Sequence, residues 1–378
     1  GIRDKLVTGV QTCALPICVL DLCLSGRPVP PDLLDRALAE NEGREFLSTV
    51  IEQLGDRFEP RLCETYASLF MDVIYREAPE IYQRIRRAPI TPLPAEAERV
   101  YVLSRVTLGA DVAVTSVLMD AAKRRYPNAP IVFVGPRKNY EMFAADPRVS
   151  HMEAPYARHG SLRSRLEASG RLWIEDGLVL DPDSRITQLG LIQIAPDDRY
   201  CFFESRSYGK DSLDRLPDLA ARWTGDPEAK PYVAPPPATG EAFEITVSLG
   251  VGENLSKRLG DEFELELMKL LASTGRRVLV DLGGSPEERE RVERALQPGM
   301  QTHSGAFAPF AAEIARSRLF VGYDSAAGHV ASACGVPLIS IATGFATERM
   351  AARWRPLGTV LRGDQAGLLE AVRQALPF

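Results

Sequence analysis

The stretch from Arg318 to Thr343, RLFVGYDSAAGHVASACGVPLISIAT, constrains this chain more than any other. An apolar run, Leu319 to Tyr323, stops at Asp324 and Ser325. A segment of small residues follows, and Gly335 and Pro337 open a second apolar run from Leu338 to Ala342. The order is strand, helix, strand. With Ser325 as N-cap, the free N–H groups of Ala326, Ala327 and Gly328 point out of the carboxyl edge of a parallel sheet with the positive end of the helix dipole, an arrangement that accepts phosphate. Small side chains let a ligand lie close on the helix, and His329 sits one turn in. An ordinary βαβ unit, with Asp324 as a cap and His329 as a plain helix residue, fits the same letters.

Composition narrows the class. At 378 residues and 45% hydrophobic, the chain can build two domains with their own cores. A net charge of -6 with mixed signs argues against a nucleic-acid binder, so an anionic ligand must be met locally. No apolar run reaches the roughly 18 residues of a membrane span, which leaves a peripheral membrane contact open. Six scattered cysteines without a CxxC pair point to reduced thiols and a cytoplasmic location.

Val7 to Ile17, VTGVQTCALPI, resembles a translated sequencing adapter, and residues 1–17 are expected to be an artefact. A signal peptide is the rival, although Thr8, Gly9, Gln11 and Thr12 interrupt its apolar core. Residues 18–95 carry apolar positions at three- and four-residue spacing and predict a helical extension. Leu62, Tyr66, Leu69, Phe70, Val73 and Ile74 form one buried stripe of it. Its role is open among an oligomer contact, a lid and a support for the next domain. Arg84, Arg86 and Arg87 fit an acidic partner or a solvated helix end.

Residues 96–232 predict a first Rossmann-like domain. Val100 to Leu103 and Ile131 to Val134 are strands around a helix, with Asp111 in the first turn, where a helix cap is one role for it. Asp181, Pro182 and Asp183 fit a turn or an Asp-x-Asp metal motif, the turn being favoured. Arg185 and Arg206 are candidates for gripping an acceptor's phosphate or carboxylate, against ordinary ion pairing. Residues 233–243, rich in proline, form a linker. In the second domain, 244–378, the strand Ile245 to Leu249 runs into Gly250 and Gly252 and then Lys257 and Arg258. Gly283 and Gly284 precede a helix starting with Glu287 and Glu288, whose carboxylates also suit a helix N-terminus.

The string VGYDSAAGHVASACGVPLISI resembles the nucleotide-sugar motif of glycosyltransferase family 9, the heptosyltransferase-like enzymes, at Asp324, Ser325, His329, Ala331, Ala333, Gly335, Val336 and Pro337. Leu108, Gly109, Asp111 and the run Lys123 to Pro127 resemble the family's opening. The resemblance implies an α/β fold of the GT-B kind, two Rossmann-like domains facing a cleft, here preceded by the helical extension. It implies an inverting, metal-independent glycosyltransferase without cofactor, moving a sugar, heptose first, from an ADP- or UDP-sugar to a glycan or lipid-linked acceptor. Asp111 would be the base and Lys257 would meet the departing diphosphate. Gly250, Gly252, Arg258, Glu288, Asp324, Ser325, Ala326, Gly328 and His329 would hold the donor, and Arg185 and Arg206 the acceptor. Two departures stand out. Ala110 separates Gly109 from Asp111, which the family has adjacent, and Phe345 and its neighbours replace a Gly-Pro-Thr-Asp loop. An inactive nucleotide-sugar binder and a nucleotide-sugar epimerase are the rivals.

Overall fold

A computed structural model describes residues 15–85, 93–154, 156, 160–252 and 254–377. The adapter-like stretch up to residue 14, and Arg86 and Arg87 of the basic cluster, lie outside them. Two all-parallel sheets organise the chain. The first contains β1 (Val100–Leu103), β2 (Ile131–Gly135), β3 (Val149–Glu153), β4 (Leu178–Asp181) and β5 (Tyr200–Phe202), in the order β3-β2-β1-β4-β5. The second contains β6 (Ile245–Ser248), β7 (Val278–Asp281), β8 (Gln301–His303), β9 (Leu319–Tyr323), β10 (Leu338–Ile341) and β11 (Thr359–Leu361), in the order β11-β10-β9-β6-β7-β8.

A parallel sheet is buried on both faces and needs a helical layer on each. On the first sheet Val100 and Val102 face one layer, which includes Val117 and Leu118 of the helix Ser116–Arg125. Tyr101 and Leu103 face the other, and that layer is the N-terminal helical region itself, through Leu34, Phe46, Val50, Phe70 and Val73. The helix Pro60–Glu77 buries the stripe expected from its spacing. Of the three roles left open for this region, support of the neighbouring sheet is the one the packing displays. The helix Leu15–Leu24 begins inside the adapter-like stretch and buries Pro16.

The two halves are in contact at their carboxyl edges. Phe310, Phe320, Ala327, Val330 and Ala331 of the second half share one apolar core with Val112, Val117 and Phe133 of the first. Gly109 lies so close that a Cβ there would come 3.1 Å from His329 Cδ2 and 3.3 Å from Ala326 Cα. The helix Glu348–Trp354 adds a second tie. Arg349 donates to Phe58 O at 2.9 Å and pairs with Asp211 at 2.7 Å, while the fully buried Arg353 donates to Tyr208 O at 2.9 Å and Lys210 O at 3.1 Å.

Candidate functional site

At the end of β9 the chain turns through Ser325, extended in backbone, into the helix Ala326–Ala333. Among the described residues Ser325 Oγ has no hydrogen-bond partner, although it is buried. Lys257 reaches this point from the loop after β6, with Nζ 2.6 Å from Asp324 Oδ2 and 3.2 Å from Asp324 O. Thr343 Oγ1 donates to Lys257 O at 2.6 Å, and the Phe345 ring lies 5.4 Å from the ammonium. Asp324 thus acts on Lys257, holding the cation beside the helix start. His329, half-buried, meets Trp354 edge to face at 5.9 Å, and burial pulls its imidazole below the ordinary value. Ala326 and Gly328 sit in the same first turn, Ala326 against Gly109 and Gly328 over the Phe320 ring.

Because β6 lies between β9 and β7, a second group forms beside the first. Glu288 folds back over its own turn, accepting from Gly284 N at 3.0 Å. A Cβ on Gly250 would stand 2.9 Å from Glu288 Oε1, and one on Gly283 2.2 Å from its carboxyl carbon. The two glycine turns and this carboxylate therefore make one surface, with Gly252, at φ +61°, turning the chain in open space beyond it. Asp281, at the end of β7, has its carboxyl pushed up to about 6 by burial. Arg258 departs from expectation. Its Nε donates to the buried Glu264 at 2.9 Å and its Nη2 pairs with Asp261 at 2.5 Å, while Glu264 also takes Arg291 at 2.5 Å and Tyr323 at 3.2 Å. Carboxylates that hold both ends of the guanidinium turn it into the domain, away from a donor.

Asp111 requires a larger correction. It is fully buried, and its two oxygens accept four hydrogen bonds: Arg105 N at 2.6 Å and Thr115 Oγ1 at 2.7 Å on one, Ser104 Oγ and Asn139 Nδ2 at 2.6 Å on the other. A carboxylate so enclosed ties down the turn after β1 and has no face for an acceptor hydroxyl. The physical reason is the extra residue Ala110. A π-helical turn, Asp111–Thr115, interrupts the helix, and such a turn takes one residue more than an α turn. The Asp-x-Asp stretch is likewise spent internally. Asp181 accepts from Ser184 N at 2.6 Å and Thr187 Oγ1 at 2.5 Å and is pushed up to about 6 by burial, while Asp183 holds Arg206 Nε at 2.9 Å and Ser205 Oγ at 2.8 Å. Among the described residues no group of three His, Cys, Asp or Glu could hold a metal.

Arg185 and Arg206 come together in a cavity of about 200 Å³ at the mouth of the first sheet, lined also by Arg105, Thr107, Ala110, Asp183 and Trp354. Arg105 donates to Ser205 Oγ at 2.8 Å and to Pro182 O, and its guanidinium lies 5.7 Å from the Trp354 ring. Arg206 Nη1 is buried without a partner among the described residues. Trp354 therefore stands between the cavity and His329, linking the two halves of the site. Sequence reasoning missed Arg105 and Trp354. The Arg-Trp-Arg-Pro string at 353–356 was the available signal for the second, whereas a lone arginine after a strand gave none for the first.

Comparison with known proteins agrees with this geometry. Residues 260–364 match the model of glycosyltransferase family 9 (heptosyltransferase). No curated protein sequence matches the chain. Among solved structures, the E. coli heptosyltransferase WaaC with ADP-2-deoxy-2-fluoro heptose is 19% identical, with a TM-score of 0.56 over 73% of this chain and 98% of that one. The E. coli ADP-heptose lps heptosyltransferase II is 15% identical, with a TM-score of 0.52 over 73% and 98%. A family 9 glycosyl transferase from Veillonella parvula DSM 2008 is 14% identical, with a TM-score of 0.51 over 75% and 90%. The fold is that of these two-domain, GT-B enzymes, with the N-terminal helices added.

Proposed function

We propose that this chain, whose residues 260–364 match glycosyltransferase family 9, moves a heptose from an ADP-heptose donor to a glycan acceptor of lipopolysaccharide type, with inversion. The observation that carries this is the juxtaposition at Gly109: a cation-flanked helix start on the second sheet lies against the turn that lines an arginine-bearing cavity on the first. The donor's diphosphate would lie at Ser325 to Gly328, where N–H groups, the unpartnered Ser325 hydroxyl and Lys257 stabilise the charge that grows as the sugar leaves. Glu288, between two glycine turns, would accept from ribose hydroxyls of the donor. The altered loop at Phe345 stacks beside Lys257 and would shape the donor's remainder. The acceptor would enter the cavity at Arg185 and Arg206. With Asp111 enclosed, the acceptor proton would pass to another group at the mouth of the cavity.

No helix among the described residues is long and apolar enough to cross a membrane. We expect action in the cytoplasm, with any contact at the inner membrane face made peripherally. The test is incubation of the full chain with ADP-heptose or UDP-sugars, with and without heptose-free lipopolysaccharide, followed by mass spectrometry. Heptosylated lipopolysaccharide and released ADP are expected. A donor that changes configuration with no acceptor present would instead mark an epimerase, and bound nucleotide without turnover an inactive binder.

A further inference from the structure

The cavity has a wall that belongs to neither sheet. Glu52, Gly55 and Asp56, all from the N-terminal helical region, line it opposite Thr107, Ala110 and Trp354. The three positions are i, i+3 and i+4 of the helix Glu52–Asp56 and of the turn that leads into it, so they share one face. That face presents carboxylate, no side chain, carboxylate. Arg185 stands across from it, 3.5 Å from Asp56, and although burial works against its charge, the two acids outweigh that and hold its guanidinium firmly protonated.

Gly55 carries the argument. Glycine inside a helix costs roughly 0.5–1 kcal/mol relative to alanine. Nothing in the fold compels it here, since its φ is not positive and a Cβ would meet only Leu189 Cδ1 at 3.5 Å and Arg206 Cδ at 3.7 Å, ordinary contacts. What the missing side chain preserves is the open volume. Strain gathers around the same space: Val106 at φ +62°, Asp183 at +69° and Leu189 at +58° all line it, and a β-branched residue in the left-handed region is uncommon. Arg206 adds a buried N–H without a partner among the described residues. Space kept open, backbone held in costly conformations and an unsatisfied donor converge on a binding pocket rather than a packing fault.

We infer that the N-terminal helices form the fourth wall of the acceptor pocket, in which Glu52 and Asp56 accept hydrogen bonds from hydroxyls of a single sugar ring. This rests on the glycosyltransfer reading above. At about 200 Å³ the space is below the roughly 300–1,000 Å³ of pockets that enclose drug-sized ligands, and so suits one ring. The wall thereby selects the acceptor and leaves the donor to the other half of the molecule.

The test uses the full chain with ADP-heptose and heptose-free lipopolysaccharide. Gly55→Leu, which fills the pocket from the helical side, and Glu52→Ala with Asp56→Ala should each raise the acceptor KM at least 10-fold, while the Kd for ADP measured by calorimetry stays within 2-fold. Gly55→Ala should melt no lower than the parental chain and raise the KM, but by less than Gly55→Leu does, which separates blocked space from a damaged helix. An unchanged acceptor KM in both Gly55→Leu and the double variant overturns the proposal and leaves glycosyl transfer standing. A parental chain that cleaves ADP-heptose yet leaves lipopolysaccharide unmodified also overturns it for this acceptor class. If the parental chain neither binds ADP nor cleaves ADP-heptose, the glycosyltransfer reading fails, and this proposal with it.

Discussion

Asp111 separates a base from a brace, and two substitutions tell them apart. Asp111→Ala removes the acceptor of four hydrogen bonds. The Ser104 and Thr115 hydroxyls can rotate toward other partners, but the Arg105 amide cannot, and the buried Asn139 carboxamide keeps an unmet N–H whichever way it turns. Each buried donor left unsatisfied costs about 1–3 kcal/mol, so the variant should lose roughly 2–6 kcal/mol. At about 2–4 °C per kcal/mol, that is a melting temperature lower by roughly 5–20 °C. Asp111→Asn keeps the shape and one acceptor oxygen. Its new N–H₂ can be met if the Asn139 carboxamide turns over, because Asn139 Oδ1 is otherwise without a partner among the described residues. That variant should melt within roughly 4 °C of the parental chain, the worth of about one neutral hydrogen bond. Its transfer rate, followed as ADP release from ADP-heptose, should stay within a few-fold. A general base is worth about 100- to 10,000-fold. A loss of that size in Asp111→Asn, with the melting temperature unmoved, would refute the bracing role and return Asp111 to catalysis.

Lys257→Ala should weaken ADP binding by roughly 1.5–3 kcal/mol, the worth of a hydrogen bond to a charged group, with melting little changed; equal calorimetric affinity would put the diphosphate elsewhere. Gly109→Val pushes a branched side chain against His329 and the Ala326 backbone, so the halves should separate, seen as a larger radius of gyration in solution scattering; an unchanged radius would mean that the contact yields locally. Asp281, with its carboxyl near 6 when folded and about 3.8 when unfolded, holds a proton more tightly in the folded chain, so its contribution to stability is fully present below about 4 and lost as pH rises through 6. Asp281→Asn should therefore gain in melting temperature relative to the parental chain at pH 7.5 and lose that gain by pH 4; the opposite trend would refute the assigned burial.

The strand-helix-strand of 318–343 was legible because its chemistry is local: an apolar run, a cap and small residues at helical spacing determine which N–H groups are exposed, whatever lies around them. The position of Lys257, after a glycine-lined strand end and beside that helix start, was legible for the same reason. Arg258 was not, because its fate depends on Glu264, Asp261 and Tyr323, which only the folded domain brings to it. Glu52, Arg105 and Trp354 come from three separate parts of the chain and meet only at the cavity, so even with a string to mark Trp354 no spacing could announce that the three line one space. The helical region was legible only in part. Its amphipathic stripe declared that something would cover it, but not that the cover was the first sheet.

That last point bears on how the site is built. In the first half the strands turn Tyr101, Leu103, Val132, Val134 and Val179 toward the N-terminal helices, apolar surface that a parallel sheet cannot leave in water. Removing residues 15–85 would expose it along with the partners that Phe46, Phe70 and Val73 now fill, so the truncated chain should be insoluble or aggregate rather than fold as two sheet domains. If instead residues 93–378 alone give a monomer with a cooperative melt, the helices are a dispensable cover and their wall of the cavity an accident of packing. Failure of the truncated chain would mean that the cavity and the first domain's core depend on the same helices. A helix that must be there to close the sheet also carries Glu52, Gly55 and Asp56 to the mouth of the cavity, so on the proposed reading acceptor choice would change by substitution on that one face while the layer that stabilises the domain stays as it is.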